Sequence, residues 1–330
     1  MNNKAKIIKL AELSVKIVIL LFGILILYNK LIINQNVTDI IADIEDSFKN
    51  KSQFALMLLA IFFVPLNLYL EAIKWKLQIK PIENISNWKS FLSIFTGMTA
   101  GMFFPNRMGN FLGRIFMLEK GDRIKAAMVT IVGGMAQMIA TVCIGLLALI
   151  LYVKKNYVLI GILSVLIIIT LLLLYFNIHL LNYFQFLIPK KFKEKTEEYF
   201  KVFSLYDKKE LLKILLLSFV RYFLYTFQFV LLIWAFGIPL TYLKAMIPIS
   251  LTYLAMMIVP FITITEIAVR GSVSVVIFEN WLMMNGINSS YGMMVFTASS
   301  LLWIFNIAIP AIIGLFLTYR LKFFRNKDES

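Results

Sequence analysis

One cysteine and one histidine, Cys143 and His179, are all that 330 residues hold of the two side chains most used for metal and redox chemistry. A disulfide within the chain is excluded, and a His/Cys zinc site lacks its ligands. No GxxxxGK[ST] segment occurs, so no P-loop ATP site is expected, and no HExxH zinc pattern occurs either. Charge is scarce: 15% of residues are charged against 60% hydrophobic, with a mean hydropathy of +0.83. The acidic sign is the rarer, 18 residues against 33 basic, leaving a net charge of +15.

Long apolar runs fill the chain instead, several reaching the roughly 20 residues that a bilayer-spanning helix needs. They are continuous rather than alternating, which excludes a β-barrel. The expected fold is an all-α polytopic membrane protein forming a single membrane domain over 1–330. The basic excess sits between the apolar runs, where cytoplasmic orientation and anionic lipid account for it without nucleic acid. Lys4, Lys6 and Lys9 precede the run Ile17–Ile33, and no small-residue cleavage site follows it. The run therefore reads as an uncleaved signal anchor.

Six segments read as full spans: Leu13–Ile33, Phe54–Ile73, Ala126–Val153, Tyr157–Phe176, Leu211–Phe236 and Tyr291–Tyr319. Two further apolar stretches are broken. Phe91–Leu118 is interrupted by Pro105-Asn106-Arg107; Ile247–Met284 is interrupted by Pro260 and carries Glu266 and Arg270. Irregular or charged backbone at membrane depth is tolerated only where it lines a protein cavity. Broken segments at matching positions point to a transporter binding site.

If both stretches are re-entrant hairpins and the N-terminus is cytoplasmic, twenty-five basic residues fall on the cytoplasmic side and seven outside. The cytoplasmic set includes Lys74, Arg107, Arg114 and eight lysines of a linker over 177–213. Full crossing would nearly equalise the two sides, so the positive-inside rule favours re-entrance. Each half, about 13–153 and 157–319, then holds three spans and one hairpin. Three is odd, so the halves form an inverted repeat. Val37–Phe48 and Phe192–Tyr206 read as amphipathic helices lying at the interface. The aspartates of Asp39–Asp46 are scattered over that amphipathic face, against a metal-binding cluster.

Three groups of polar residues could carry chemistry. In the first hairpin, Asn106 is expected to cap a restarting helix that puts Arg107, Asn110 and Arg114 on one face. A helix N-terminus with two guanidinium groups suits a phosphate; the alternative is that both arginines are orientation signals at the cytoplasmic interface. The Gly97–Gly101 and Gly109–Gly113 spacings let the hairpin arms approach closely. In the second hairpin, Glu266 and Arg270 stand at i, i+4 in the favourable order for an ion pair. That pair is either structural or part of a ligand site. Arg221, Tyr225 and Gln228 share a face of the fifth span and suggest a polar stripe facing a cavity, unless Arg221 snorkels to the interface. Asn67, Gln137 and Asn306 read as interhelical hydrogen-bond glue. Trp75, Trp88 and Trp281 read as interface anchors.

Glu71-Ala72-Ile73-Lys74-Trp75, Pro105-Asn106-Arg107-Met108-Gly109 with Gly113-Arg114, Gln137, and Pro260 through Thr265-Glu266 to Val269-Arg270-Gly271 carry a resemblance in their order and spacing. The chain resembles the flippase-like integral membrane family, which includes the membrane region of lysylphosphatidylglycerol synthetases. It departs from that family at Asn110, where a glutamate is usual, and in having Thr263, Thr265 and Ala268 where glycines are common. The soluble aminoacyl-transferring domain of the synthetases is missing up to Ser330, so lysyl transfer is not expected.

The resemblance implies lipid as cargo. The expected function is a lipid translocase, not an enzyme and without cofactor, moving an anionic or phosphate-bearing lipid between leaflets of the bacterial inner membrane. Arg107, Arg114, Arg221 and Arg270 would hold the phosphate, with Glu266 pairing Arg270 in the empty state. The alternative is an accessory membrane subunit of a lipid-modifying enzyme, with a lipid-synthesis enzyme as partner.

Overall fold

The computed structural model describes residues 45, 49–102, 104, 107–119, 121–153, 156–180, 199–259, 265–287 and 291–318. Among these residues there is no strand. The elements run α1 (Lys51–Ile79), α2 (Asn87–Met102), α3 (Gly109–Ile115), α4 (Arg123–Tyr152), α5 (Tyr157–Phe176), a 3-10 turn (Lys201–Leu205) and α6 (Lys208–Ala235). They continue with α7 (Tyr242–Ile258), α8 (Glu266–Met284) and α9 (Gly292–Trp303), which passes through a π-helical turn (Ile304–Ala308) into α10 (Ile309–Thr318). Six stretches are long and apolar enough to cross a membrane: α1, α4, α5, α6, α8 and Gly292–Leu317. The protein is an all-α, multi-pass membrane protein.

Five of the expected spans fall on these helices. Those at Leu13–Ile33 and, save for isolated residues, the amphipathic helix at Val37–Phe48 lie outside the described residues. Pro105, Asn106, Pro260 and Thr263 also lie outside them. The stretch after Pro260 forms α8, a 19-residue helix long and apolar enough to cross a membrane by itself.

Local chemistry accounts for the helix boundaries. Asn50 Oδ1 accepts from the Ser52 backbone N–H (3.1 Å) and hydroxyl (2.7 Å) ahead of α1. Asp122 caps α4, accepting from the N–H groups of Ile124 (2.8 Å) and Lys125 (3.2 Å); each such cap is worth about 1 kcal/mol. Pro65 and Pro248 sit inside α1 and α7. Membrane helices tolerate such residues because neighbouring groups satisfy the freed carbonyls. On α5, Ser164 and Tyr175 are buried while leucine, isoleucine and valine side chains face outward along its length, as a helix solvated by lipid requires.

The described residues group into two compact units: residues up to Phe62 with Thr226–Phe305, and Phe63–Tyr225 with residues from Asn306 on. In the first, Phe229 of α6 packs against Tyr253 of α7 and Phe278 of α8. The Trp281 indole donates to the Lys244 carbonyl at 2.8 Å, and Ser274 meets Ser299 of α9 at 3.3 Å.

In the second unit, α2 and α3 form a hairpin in backbone contact. A Cβ built on Gly113 would lie 2.3 Å from the Thr96 carbonyl oxygen, and one on Gly109 would lie 2.2 Å from that of Ala100. The expected close approach of the arms is thus present, and only glycine permits it. The α10 segment closes on the other side of α2, where the Thr99 hydroxyl donates to the Ala311 carbonyl at 2.6 Å. Glu83 ties the loop after α1 to the loop before α4 by accepting from the Glu119 (3.2 Å) and Gly121 (2.8 Å) N–H groups. Val129, Val132, Ala136 and Ile139 of α4 form a core with Tyr175, Ile178, Val202, Phe203, Tyr206 and Ile214.

Four expectations are corrected here. The second span runs through to Ile79, so Lys74 is a buried helix residue, 2% exposed, and not a loop charge. Within Phe192–Tyr206, the described end is no surface helix: Val202, Phe203 and Tyr206 are buried in the protein core, and the Tyr206 hydroxyl donates to the Gln78 carbonyl. Trp75 is wholly buried and Trp281 nearly so, while Trp88 is exposed as an interface anchor would be. The helix of the first hairpin begins at Gly109, and Arg107 precedes it with φ +56°.

Candidate functional site

The second half of α1 carries Asn67, Glu71 and Lys74 at i, i+4 and i+7, so all three share one face. That face lies inside the protein: the three residues are 2%, 5% and 2% exposed. An apolar helix that buries a carboxylate and an ammonium must give each a partner, because an isolated charge at such a place costs several kcal/mol.

The partners come from α1 itself and from other helices of the same unit. Glu71 Oε2 lies 2.8 Å from Lys74 Nζ and 3.0 Å from Arg221 Nη1 of α6. Its Oε1 accepts from Arg114 Nη1 of α3 at 2.8 Å. The short α3 can reach because Gly97 and Gly113 let it lie against α2; the Arg114 side chain passes directly over Gly97. The Trp75 ring lies 5.8 Å from the Arg114 guanidinium carbon, a cation–π contact.

A second layer of neutral groups surrounds the charges. Gln137 Oε1 of α4 accepts from both Lys74 (3.3 Å) and Arg221 (3.2 Å). Arg221 Nε donates to Asn67 Oδ1 at 3.0 Å, and Asn67 Nδ2 donates to Asn306 Oδ1 at 2.9 Å. Asn306 sits in the π-helical turn, a rare distortion that is frequent at functional sites. The asparagines and Gln137 thus serve as the expected interhelical glue, and they also orient the cations.

Three cations converge on one carboxylate, so the cluster keeps a surplus of two positive charges. Arg114 and Lys74 are almost fully enclosed, whereas the Arg221 side chain is 24% exposed and forms the open side. Among the described residues, Arg114 Nε has no hydrogen-bond partner. Guanidinium and ammonium groups gathered in this way can form charge-assisted hydrogen bonds to an oxyanion.

The other unit holds a different arrangement. Arg270 Nη2 lies 2.6 Å from Glu266 Oε1, with Glu266 fully buried and Arg270 8% exposed. This is the expected i, i+4 pair, and it is neutral. Glu279, also buried, lies where a Cβ on Gly292 would come within 2.6 Å of its Oε1.

Of the expected site residues, the structure brings Arg114 and Arg221 together and pairs Glu266 with Arg270. Asn110 lies in α3 with its Oδ1 pressed against Gly101. Arg107, ahead of that helix, does not share its face with Asn110 and Arg114. Tyr225 is partly exposed one turn along α6 from Arg221, and Gln228 Nε2 donates to the Ala60 carbonyl at 3.0 Å. Glu71 and Lys74 are members of the cluster that the sequence does not mark as site residues. The signal available was an opposite-charge pair at i, i+3 at the end of a long, mostly apolar run. Among the described residues no group of His, Cys, Asp and Glu is assembled for a metal ion.

The model of the lysylphosphatidylglycerol synthase TM region matches residues 13–314 of the chain. Comparisons with curated proteins and with solved structures each returned no match.

Proposed function

The chain belongs to the lysylphosphatidylglycerol synthase TM-region family, and from that premise we propose that it is a lipid translocase, working without ATP on lipids with an anionic or phosphate-bearing headgroup. Family membership supports lipid handling. The observation that carries the finer reading is the Glu71 cluster: a cationic surplus inside a membrane protein, with one side open at Arg221. A phosphate headgroup entering there replaces lost hydration with charge-assisted hydrogen bonds. Glu71 holds the cations together when the site is empty.

In this reading the protein is a carrier, not an enzyme, in the bacterial inner membrane with both termini cytoplasmic. The broken stretches act as re-entrant hairpins of two inverted halves. Removing the buried Lys74, Arg114 and Arg270 from the charge count leaves the cytoplasmic bias above threefold, which supports this topology. Cysteine labelling in a Cys143→Ala background tests it; a 177–213 linker reachable from outside would refute it.

Function is tested in proteoliposomes with a fluorescent phosphatidylglycerol or phosphatidic acid, following movement between leaflets. Wild-type protein should accelerate movement in the absence of ATP. Arg221→Gln should slow it at least about tenfold, the loss expected for one charge-assisted contact. Movement no faster than in protein-free vesicles overturns the proposal.

A further inference from the structure

Resting on the translocase reading, we infer that the Glu71 cluster selects headgroups ending in a terminal phosphate, a phosphomonoester or the end of a diphosphate, over phosphodiester headgroups. Two independent features of the cluster lead there.

The first is charge. Lys74, Arg114 and Arg221 carry three positive charges against the single negative charge of Glu71. A phosphodiester carries one negative charge and leaves one cation uncompensated at a buried place. A terminal phosphate carries close to two above its second pKa of about 6, and brings the cluster to neutrality with Glu71 still ionised. Buried charge is tolerated where it is paired, so the dianion is the better match.

The second is the number of acceptors. Glu71 offers two oxygens to three cations, so Lys74 and Arg221 share Oε2 while Arg114 takes Oε1. The donors are therefore gathered around a single carboxylate, and the cations outnumber its oxygens. Arg114 Nε adds a further donor without a partner among the described residues. A phosphodiester adds two non-bridging oxygens to those of Glu71. A terminal phosphate adds three, one for each cation, and so leaves more of the guanidinium and ammonium N–H groups with an acceptor. The three cations come from α1, α3 and α6, so their spacing is set by helix packing and not by one flexible loop.

The shared chemistry is a terminal phosphate, whether on a lipid or on a soluble molecule. The experiment uses the full chain in nanodiscs of zwitterionic lipid at about pH 8, where the monoester is a dianion. Phosphatidic acid, phosphatidylglycerol and soluble glycerol 3-phosphate are titrated against it, reading lipid retention and thermal stabilisation. Phosphatidic acid should bind at least about tenfold more tightly than phosphatidylglycerol, the scale of one extra charged hydrogen bond. Lys74→Gln, which removes one charge and one donor, should bring the two lipids close to parity. Equal affinity of wild type for both lipids overturns the selectivity while leaving the translocase reading standing. If Arg221→Gln and Lys74→Gln both bind each lipid as wild type does, the cluster is not the headgroup site and both fail. Glycerol 3-phosphate displacing phosphatidic acid stoichiometrically would identify a soluble anion as the ligand and overturn the lipid assignment. Wild-type selectivity needs no variant to fold, so the central comparison survives an unstable mutant.

Discussion

Glu71 and Arg114 meet at 2.8 Å although 43 residues separate them in the chain. One comes from a long apolar helix and the other from a seven-residue helix after a break. Their contact fixes the short helix and starts the cluster that Lys74 and Arg221 complete.

Replacing Glu71 by Gln should therefore be costly, because three cations then lose their one carboxylate. Breaking a buried ion pair from one side costs about 3–5 kcal/mol. Denaturation of the purified protein should show a loss of that order, and Glu71→Gln combined with Arg114→Met should recover part of it. Two independent, additive losses would mean that the residues do not act as a unit.

Two glycines should behave oppositely. Gly113→Ala places a methyl group 2.3 Å from a backbone carbonyl oxygen, which cannot yield without separating α2 from α3. A loss of about 1–3 kcal/mol or more is expected from such overpacking. Gly134, within α4, has nothing within 4 Å of a built Cβ, so Gly134→Ala should be neutral or stabilising by up to about 1 kcal/mol through helix propensity. Equal effects at both sites would contradict the backbone contact of the hairpin.

For Glu266 and Arg270, the structural and ligand readings separate in a double substitution. Glu266→Gln alone leaves Arg270 without its 2.6 Å partner and should destabilise the protein strongly. Glu266→Gln with Arg270→Gln should regain stability, since the pair is neutral and both charges leave together. We expect the double variant to move lipid in vesicles, which assigns this pair to structure. A stable but inactive double variant would return Arg270 to the list of phosphate ligands.

Tyr206 offers a test at high pH. Burial, followed by the nearby Glu210 carboxylate and Tyr175, pushes its phenol well above the ordinary range. The folded state therefore keeps the proton that the unfolded chain releases near pH 10. This contribution to stability is intact below about pH 10 and falls as pH rises above it. Tyr206→Phe loses the bond to the Gln78 carbonyl and should cost about 1–3 kcal/mol at neutral pH. The difference between wild type and variant should shrink above about pH 10; a constant difference would place the phenol in solvent.

The first hairpin shows where sequence reading succeeds and where it stops. Gly97, Gly101, Gly109 and Gly113 marked a close approach because small residues at helical spacing have few other uses, and the arms do touch. The helix start was misplaced: Arg107 adopts φ +56° and the helix waits until Gly109. Helix starts depend on loop geometry, which local propensity does not encode. Trp75 failed for a related reason. An aromatic residue beside lysines at a span end resembles an interface anchor, yet here the helix continues to Ile79 and an arginine lies over the ring.

By itself the sequence determined the class, five of the apolar spans and the Glu266–Arg270 pair, because hydropathy runs and i, i+4 spacing are local properties of a helix. Only the tertiary structure decided that Glu71 is the centre of a cationic cluster. Its ion-pair partners Arg114 and Arg221 are distant in sequence, and the Asn67 contact that orients Arg221 spans 154 residues. No periodicity encodes such contacts; they exist because a buried carboxylate and buried cations stabilise one another only where helix packing brings them together.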